Sequence, residues 1–109
     1  MKIMLDAGHY AKANRSPVLK TYYESEMTWK LTNYLKAELE AYGIIVGLTR
    51  SVQSVDLAVE ERGRKAKGYD LFISIHSNAC DTESVDRPTM IVNLNGKTTM
   101  LGRTIGATV

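Results

Sequence analysis

Three residues of this chain could together bind a metal ion. They are His9, Glu24 and His76, and the two histidines are the only ones in the sequence. Each histidine follows an apolar run: the first closes "IMLDAGH" and the second closes "LFISIH". Two neutral imidazoles and a carboxylate suit zinc, because catalytic zinc typically has three protein ligands and a further position for water. The hypothesis requires that three residues distant in sequence meet in the fold.

The order of the predicted elements indicates that they do meet. Hydrophobic patterning predicts strands over residues 2–6, 44–49 and 71–75, and helices over residues 24–42 and 57–67. This alternation is typical of an α/β domain with a mostly parallel sheet. All strands of a parallel sheet end at the same edge, where ligands bind. Both histidines follow strand ends and the first helix begins at that edge, so we expect a single site.

Glu24 has an unusual place at the start of its predicted helix. It heads a stripe at helical spacing that continues through Thr28, Leu31, Leu35 and Leu39. A carboxylate on the buried side of a helix is costly unless something pairs with it, and a metal ion would do so. Two alternatives stay open: Glu24 is a helix-terminal acid favoured by the macrodipole, and each histidine is a hydrogen-bonded structural residue.

Length and composition limit the classes of protein to consider. The chain has 109 residues, 44% of them hydrophobic and 24% charged, which predicts one globular domain. Its net charge of +2 does not identify a partner. We expect no membrane insertion, since no apolar run approaches the roughly 20 residues of a membrane-spanning helix. The sequence has no basic stripe or aromatic platform for nucleic acid, and its first strand is not followed by a dinucleotide-binding G-x-G-x-x-G turn.

Four segments resemble a known family of enzymes. The stretch "IMLDAGHY", the glutamate at the head of an apolar helix, "YGIIVGLTR" and "YDLFISIHSNA" look like the zinc-dependent N-acetylmuramoyl-L-alanine amidases of the Amidase_3 type, in the same order over residues 3–80. The resemblance implies an α/β fold with a mixed sheet flanked by helices. It implies one Zn²⁺ ion on His9, Glu24 and His76, and hydrolysis of the amide between N-acetylmuramic acid and L-alanine by zinc-activated water.

Three further residues are candidates for supporting the site or contacting substrate. Asp6 precedes His9 and either orients it or forms an Asx-turn. Asn78, in "HSNA", either fixes the loop behind His76, contacts substrate or forms a turn. Arg50, in "LTR", either binds a carboxylate of the peptide or holds a loop through a salt bridge. These alternatives are open at the level of sequence.

The sequence also departs from the family pattern. Tyr10-Ala11 replaces the usual Gly-Gly, and either Arg62 or Arg64 matches the arginine before the "DLF" strand loosely. No residue corresponds to the late catalytic glutamate, so the catalytic residue is unassigned. Glu26 is expected to point away from Glu24, about 200° around the helix. No motif supports Asp81 or Glu83 in its place.

The end of the sequence bears on the extent of the domain. A strand is predicted over residues 90–94, ending at Asn95-Gly96, and residues 98–109 resemble the first turns of a helix. We therefore expect residues 1–109 to be the N-terminal part of an Amidase_3-like catalytic domain that lacks its last elements. Such a fragment should be a weak or inactive amidase.

These observations define the expected function. The chain is predicted to be a peptidoglycan hydrolase; the alternative is a non-catalytic, zinc-containing module that binds the cell wall. Its expected partner is bacterial peptidoglycan, on which it acts as a monomer outside the cell. No export signal opens the sequence, which suggests either a phage endolysin or the excised catalytic domain of a secreted autolysin.

Overall fold

The computed structural model describes residues 1–11, 15–16 and 19–77. The described elements lie within a compact unit that spans Met1–Asn78. In chain order they are β1 (Lys2–Ala7), α1 (Glu24–Ala41), β2 (Ile45–Leu48), α2 (Val59–Lys65) and β3 (Leu71–Ile75). The strand predicted over residues 90–94 and the helical turns predicted over 98–109 lie outside the described residues, as do Asn78, Asp81 and Glu83.

The strands form a parallel sheet in the order β2-β1-β3. β1 pairs with β2 on one side, where Lys2 lies opposite Ile45. It pairs with β3 on the other side, where Ala7 lies opposite Ile75. The middle position explains its composition, because a strand covered on both faces reads as a continuous apolar run. Among the residues that the structure describes, the buried apolar side chains are accordingly those of Ile3, Met4, Leu5 and Ala7. The prediction of an α/β fold with parallel strands is confirmed.

The predicted boundaries differ from the observed ones by one or two residues. β1 extends one residue further than predicted, because Ala7 still pairs with β3. α1 ends just before Gly43, whose φ of 79° and N–H bond to the Glu40 carbonyl (2.9 Å) are typical of a helix C-terminus. α2 is two residues shorter than predicted at each end. Neither helix in the described part of the chain is long and apolar enough to cross a membrane.

The buried face of α1 is polar, which the hydrophobic stripe did not predict. Glu24 and Thr28 are buried as expected, but the face continues through Thr32, and Leu31 is 48% exposed. The first turns of this face lie over the loop after β1, where main-chain carbonyls accept hydrogen bonds from its hydroxyl groups. The Thr28 hydroxyl donates to the Gly8 carbonyl at 2.7 Å.

The two buried threonines of α1 should respond in opposite ways to substitution. Thr28→Val removes the donor to the Gly8 carbonyl and should lower the free energy of unfolding by about 1–3 kcal/mol. Within the described structure the Thr32 hydroxyl has no hydrogen-bond partner, so Thr32→Val should be neutral or slightly stabilising. Urea unfolding midpoints measure both effects. Equal destabilisation by the two variants would contradict the assignment.

Candidate metal centre

The loop that follows β1 holds His9 in an unusual backbone conformation. His9 has a φ of 61° and Ala11 has a φ of 45°, so two non-glycine residues occupy the left-handed region within three positions. Each such residue costs of order 1–3 kcal/mol and persists only where its surroundings hold it. Hydrogen bonds do so: the Gly8 N–H donates to the Ile75 carbonyl at 3.0 Å, and the Ala11 N–H to the Gln53 carbonyl at 2.9 Å.

The structure brings His9, Glu24 and His76 together at the carboxyl edge of the sheet. Glu24 Oε2 lies 3.1 Å from His9 Nε2, and Glu24 Oε1 lies 3.3 Å from His76 Nδ1. The two imidazole rings meet edge to face, with centroids 5.1 Å apart. One potential ligand atom from each residue lies within 4.8 Å of the others. The topology therefore brings together three residues that span 67 positions of the sequence, from His9 to His76.

The donor set and its spacing suit a small divalent cation. Ligands about 2.1 Å from a tetrahedral zinc ion are about 3.4 Å from one another. The contacts of Glu24 Oε2 with His9 (3.1 Å) and of Glu24 Oε1 with His76 (3.3 Å) are close to that value, and one ligand atom from each of the three residues lies within 4.8 Å of the others. The carboxylate is 5% exposed, whereas the side chains of His9 and His76 are 32% and 45% exposed, so solvent can reach the cluster from the histidine side.

A main-chain donor just after the end of β3 orients the Glu24 carboxylate. The Ser77 N–H donates to Glu24 Oε1 at 2.7 Å, and the Tyr22 hydroxyl bonds the Ser77 hydroxyl at 3.1 Å. Sequence analysis missed both residues. The only signal for Ser77 was its position directly after His76, and Tyr22 offered none. Together they connect the start of α1 to the end of β3.

Asp6 is buried beneath the same loop. Its Oδ1 accepts hydrogen bonds from the Thr49 hydroxyl (2.6 Å) and from Arg62 Nη1 (2.9 Å), and its Oδ2 accepts one from the Ser74 hydroxyl (2.6 Å). Arg62 in turn donates through Nη2 to the His9 carbonyl at 3.0 Å. Asp6 is thus connected to the backbone of His9 through a guanidinium group.

Arg50 lies on another side of this loop and is 2% exposed. Its guanidinium donates to the Gln53 and Ala7 carbonyls and lies 5.2 Å from the Trp29 ring centroid. Burial, and secondarily the charge of Arg62, lower the pKa of Arg50 from its ordinary value, although nearby aspartates oppose the shift. This placement favours the alternative in which Arg50 holds the loop.

Glu26 is on a different side of α1 from the cluster. It lines an open groove of about 450 Å³. The other lining residues are Thr21, Tyr22, Tyr23, Met27, Lys30, Leu31 and Tyr34. Glu26 therefore offers a comparison for Glu24 that is two positions away in sequence.

Comparisons with known proteins agree with this architecture. The family pattern of the N-acetylmuramoyl-L-alanine amidases (Amidase_3) matches residues 3–106. No curated protein matches the chain. Among solved structures, the CwlD amidase from Clostridioides difficile, in complex with the GerS lipoprotein, is similar with a TM-score of 0.72. The two chains are 20% identical, and the similarity covers 99% of this chain and 68% of that one. At this identity the structural likeness shows a shared fold.

Proposed function

The chain belongs to the N-acetylmuramoyl-L-alanine amidase family, and from this premise we propose that it hydrolyses the amide between N-acetylmuramic acid and the L-alanine of the stem peptide. The observation that carries the proposal is the cluster of His9, Glu24 and His76, whose ligand atoms lie within 4.8 Å of one another. Hydrolysis of an amide requires an electrophilic aid at the carbonyl and an activated water, and such a cluster is suited to hold a metal ion that supplies both.

We assign one zinc ion to these three residues. When bound, zinc supplies a Lewis acid that polarises a carbonyl and makes water acidic enough to react near neutral pH. The chain contributes the arrangement of the ligands: both oxygens of Glu24 are directed at histidine nitrogens, and the Ser77 N–H holds one of them in place. A preset carboxylate between two imidazoles also offsets the charge of a dication.

The reaction further needs a group that moves a proton. The carbon–nitrogen bond of the amide breaks as water oxygen bonds to the carbonyl carbon, and a proton must pass from that water to the leaving amine of L-alanine. Within the described residues, the cluster contains no carboxylate besides Glu24. The proton-transfer group is unassigned, because no residue of the chain matches the late catalytic glutamate of the family and no motif supports Asp81 or Glu83 in its place.

The proposal extends to where the protein acts. Its substrate is bacterial peptidoglycan, so it acts at the cell wall, reached either as a phage-type lysin or as the catalytic part of a secreted autolysin. We propose that it acts as a monomer. The CwlD amidase was solved together with a lipoprotein, and co-purification of a partner with this chain would argue against a monomer.

The proposal predicts metal-dependent release of L-alanine amino termini. Purified cell walls incubated with the zinc-loaded protein should yield new L-alanine amino termini without new reducing sugars, measured by chemical labelling of each group. Treatment with a chelator should abolish the release, and added zinc should restore it. Release that survives complete metal removal would reject the zinc assignment. The release should be slow, because no residue is assigned to the proton transfer; zinc-loaded protein that binds walls without any release over a prolonged incubation would favour a wall-binding module instead.

A further inference from the structure

Arg62 makes an unusual set of hydrogen bonds for a side chain on a short helix. It is 8% exposed, and its guanidinium reaches three main-chain carbonyls and one carboxylate. Nε donates to Leu57 at 2.9 Å, Nη1 to Ala7 at 2.7 Å and to Asp6 Oδ1 at 2.9 Å, and Nη2 to His9 at 3.0 Å. Only the planar fork of arginine can serve so many acceptors at once.

One of these bonds acts on a strained peptide. His9 has a φ of 61°, a conformation that a histidine keeps only when neighbouring groups impose it. The bond from Arg62 to the His9 carbonyl restrains this residue directly. If the peptide relaxed toward a negative φ, the imidazole would swing away and His9 Nε2 would lose its 3.1 Å contact with Glu24 Oε2.

The restraint is anchored in the sheet. A buried guanidinium is costly without a counter-charge, and Asp6, 3% exposed, supplies one. Asp6 is itself held by the hydroxyls of Thr49, just after β2, and Ser74 in β3. Asp6 in β1, Ser74 in β3 and Thr49 just after β2 therefore fix the position of Arg62.

We propose that Arg62 is a positioning residue of the metal centre, which keeps His9 in its left-handed conformation so that His9 Nε2 faces Glu24 before a metal ion arrives. This inference rests on the proposed zinc site. Arg62 acts through the backbone of His9 and touches neither the metal ligands' donor atoms nor the substrate. Its effect should therefore appear in the affinity for metal, measured without any substrate.

The test compares Arg62→Lys with Arg64→Lys. Lysine keeps the charge but cannot reach all four acceptors, whereas Arg64 lies exposed on the same helix and serves as the matched control. Competition with a chromophoric chelator should show a zinc dissociation constant 10–100-fold weaker for Arg62→Lys, the usual effect of losing a partner that orients a ligand. The visible spectrum of the Co²⁺-substituted variant should also change. Arg64→Lys should match the wild type in both measurements.

Each other outcome decides against the inference. A folded Arg62→Lys variant with wild-type zinc affinity and cobalt spectrum would reduce Arg62 to a purely structural role, as would an equal loss in Arg64→Lys. If the wild type binds no zinc, the proposed metal centre is rejected and the inference falls with it. If Arg62→Lys does not fold, the zinc affinity of Ser74→Ala is measured instead. This variant weakens the anchor of Asp6 and should therefore bind zinc several-fold more weakly. Unchanged zinc affinity would overturn the proposal.

Discussion

Replacing Glu24 with glutamine should lower the affinity for zinc by about 10³-fold. Glutamine has the same shape and can still accept the Ser77 N–H bond, but it carries no charge and is a poor zinc ligand, so two neutral imidazoles remain for a dication. Binding of zinc to protein sites is worth about 10–16 kcal/mol, and a loss of about 4 kcal/mol corresponds to this factor. Chelator competition at constant pH measures the change.

Glu26→Gln is the matched control for this experiment. It removes the same charge two residues away, but Glu26 lines the groove on another side of α1. Its zinc affinity should therefore remain within about twofold of the wild type, since the partly exposed Glu26 carboxylate lines an open groove and solvent screens its charge. Stoichiometric, tightly bound zinc in Glu24→Gln would contradict the proposed ligand set. Equal losses in both variants would mean that overall charge, and not coordination, controls binding.

Replacing Gly8 with alanine should destabilise the fold and disable the metal centre together. A Cβ at this position would lie 2.6 Å from the ring of His76 and 2.8 Å from the Ile75 carbonyl. The carbonyl belongs to the sheet and cannot retreat, while His76 can move only by leaving Glu24. Such overpacking costs about 1–3 kcal/mol. We expect a lower urea midpoint and, because one of three ligands is displaced, at least about 100-fold weaker zinc binding.

Gly63→Ala tests whether this effect is specific to the site. Gly63 lies in α2, and among the described residues no neighbouring atom comes within 4 Å of the point that a Cβ there would occupy. Alanine is also the better helix former by about 0.5–1 kcal/mol. This variant should be as stable as the wild type or slightly more stable, with unchanged zinc affinity. Wild-type zinc binding by Gly8→Ala would show that His76 is not held as the structure has it.

The convergence of His9, Glu24 and His76 could be predicted because it follows from topology. Apolar runs and helical spacing identify strands and helices locally, and parallel strands all end at one edge. Nothing beyond the order of elements is needed to bring the strand ends and the start of α1 to one place. For the same reason β3 was predicted with its observed bounds, Leu71–Ile75.

Asp6 was predicted as a supporting residue from its place before His9, but the roles of Arg62, Ser77 and Tyr22 could not be predicted, because they depend on partners far away in sequence. Arg62 reads as one charge among several on a polar helix until its partner Asp6, 56 residues away, is known. Leu31 fitted the apolar stripe, yet it is 48% exposed, whereas Thr28 and Thr32 are buried, so the inward face of α1 carries hydroxyl groups. Helical periodicity does not report what a helix packs against.

The central position of β1 has a consequence for how the protein is synthesised. β1 leaves the ribosome before both of its neighbours, the second of which ends only at Ile75. At about 5–20 residues per second, the interval between the end of β1 and the end of β3 is roughly 3–14 s. During that time the most buried strand of the sheet has an unpaired edge. An unpaired edge is a template for pairing with other chains, so the nascent chain is exposed to aggregation until β3 is translated, and all three candidate ligands are present only once His76 follows.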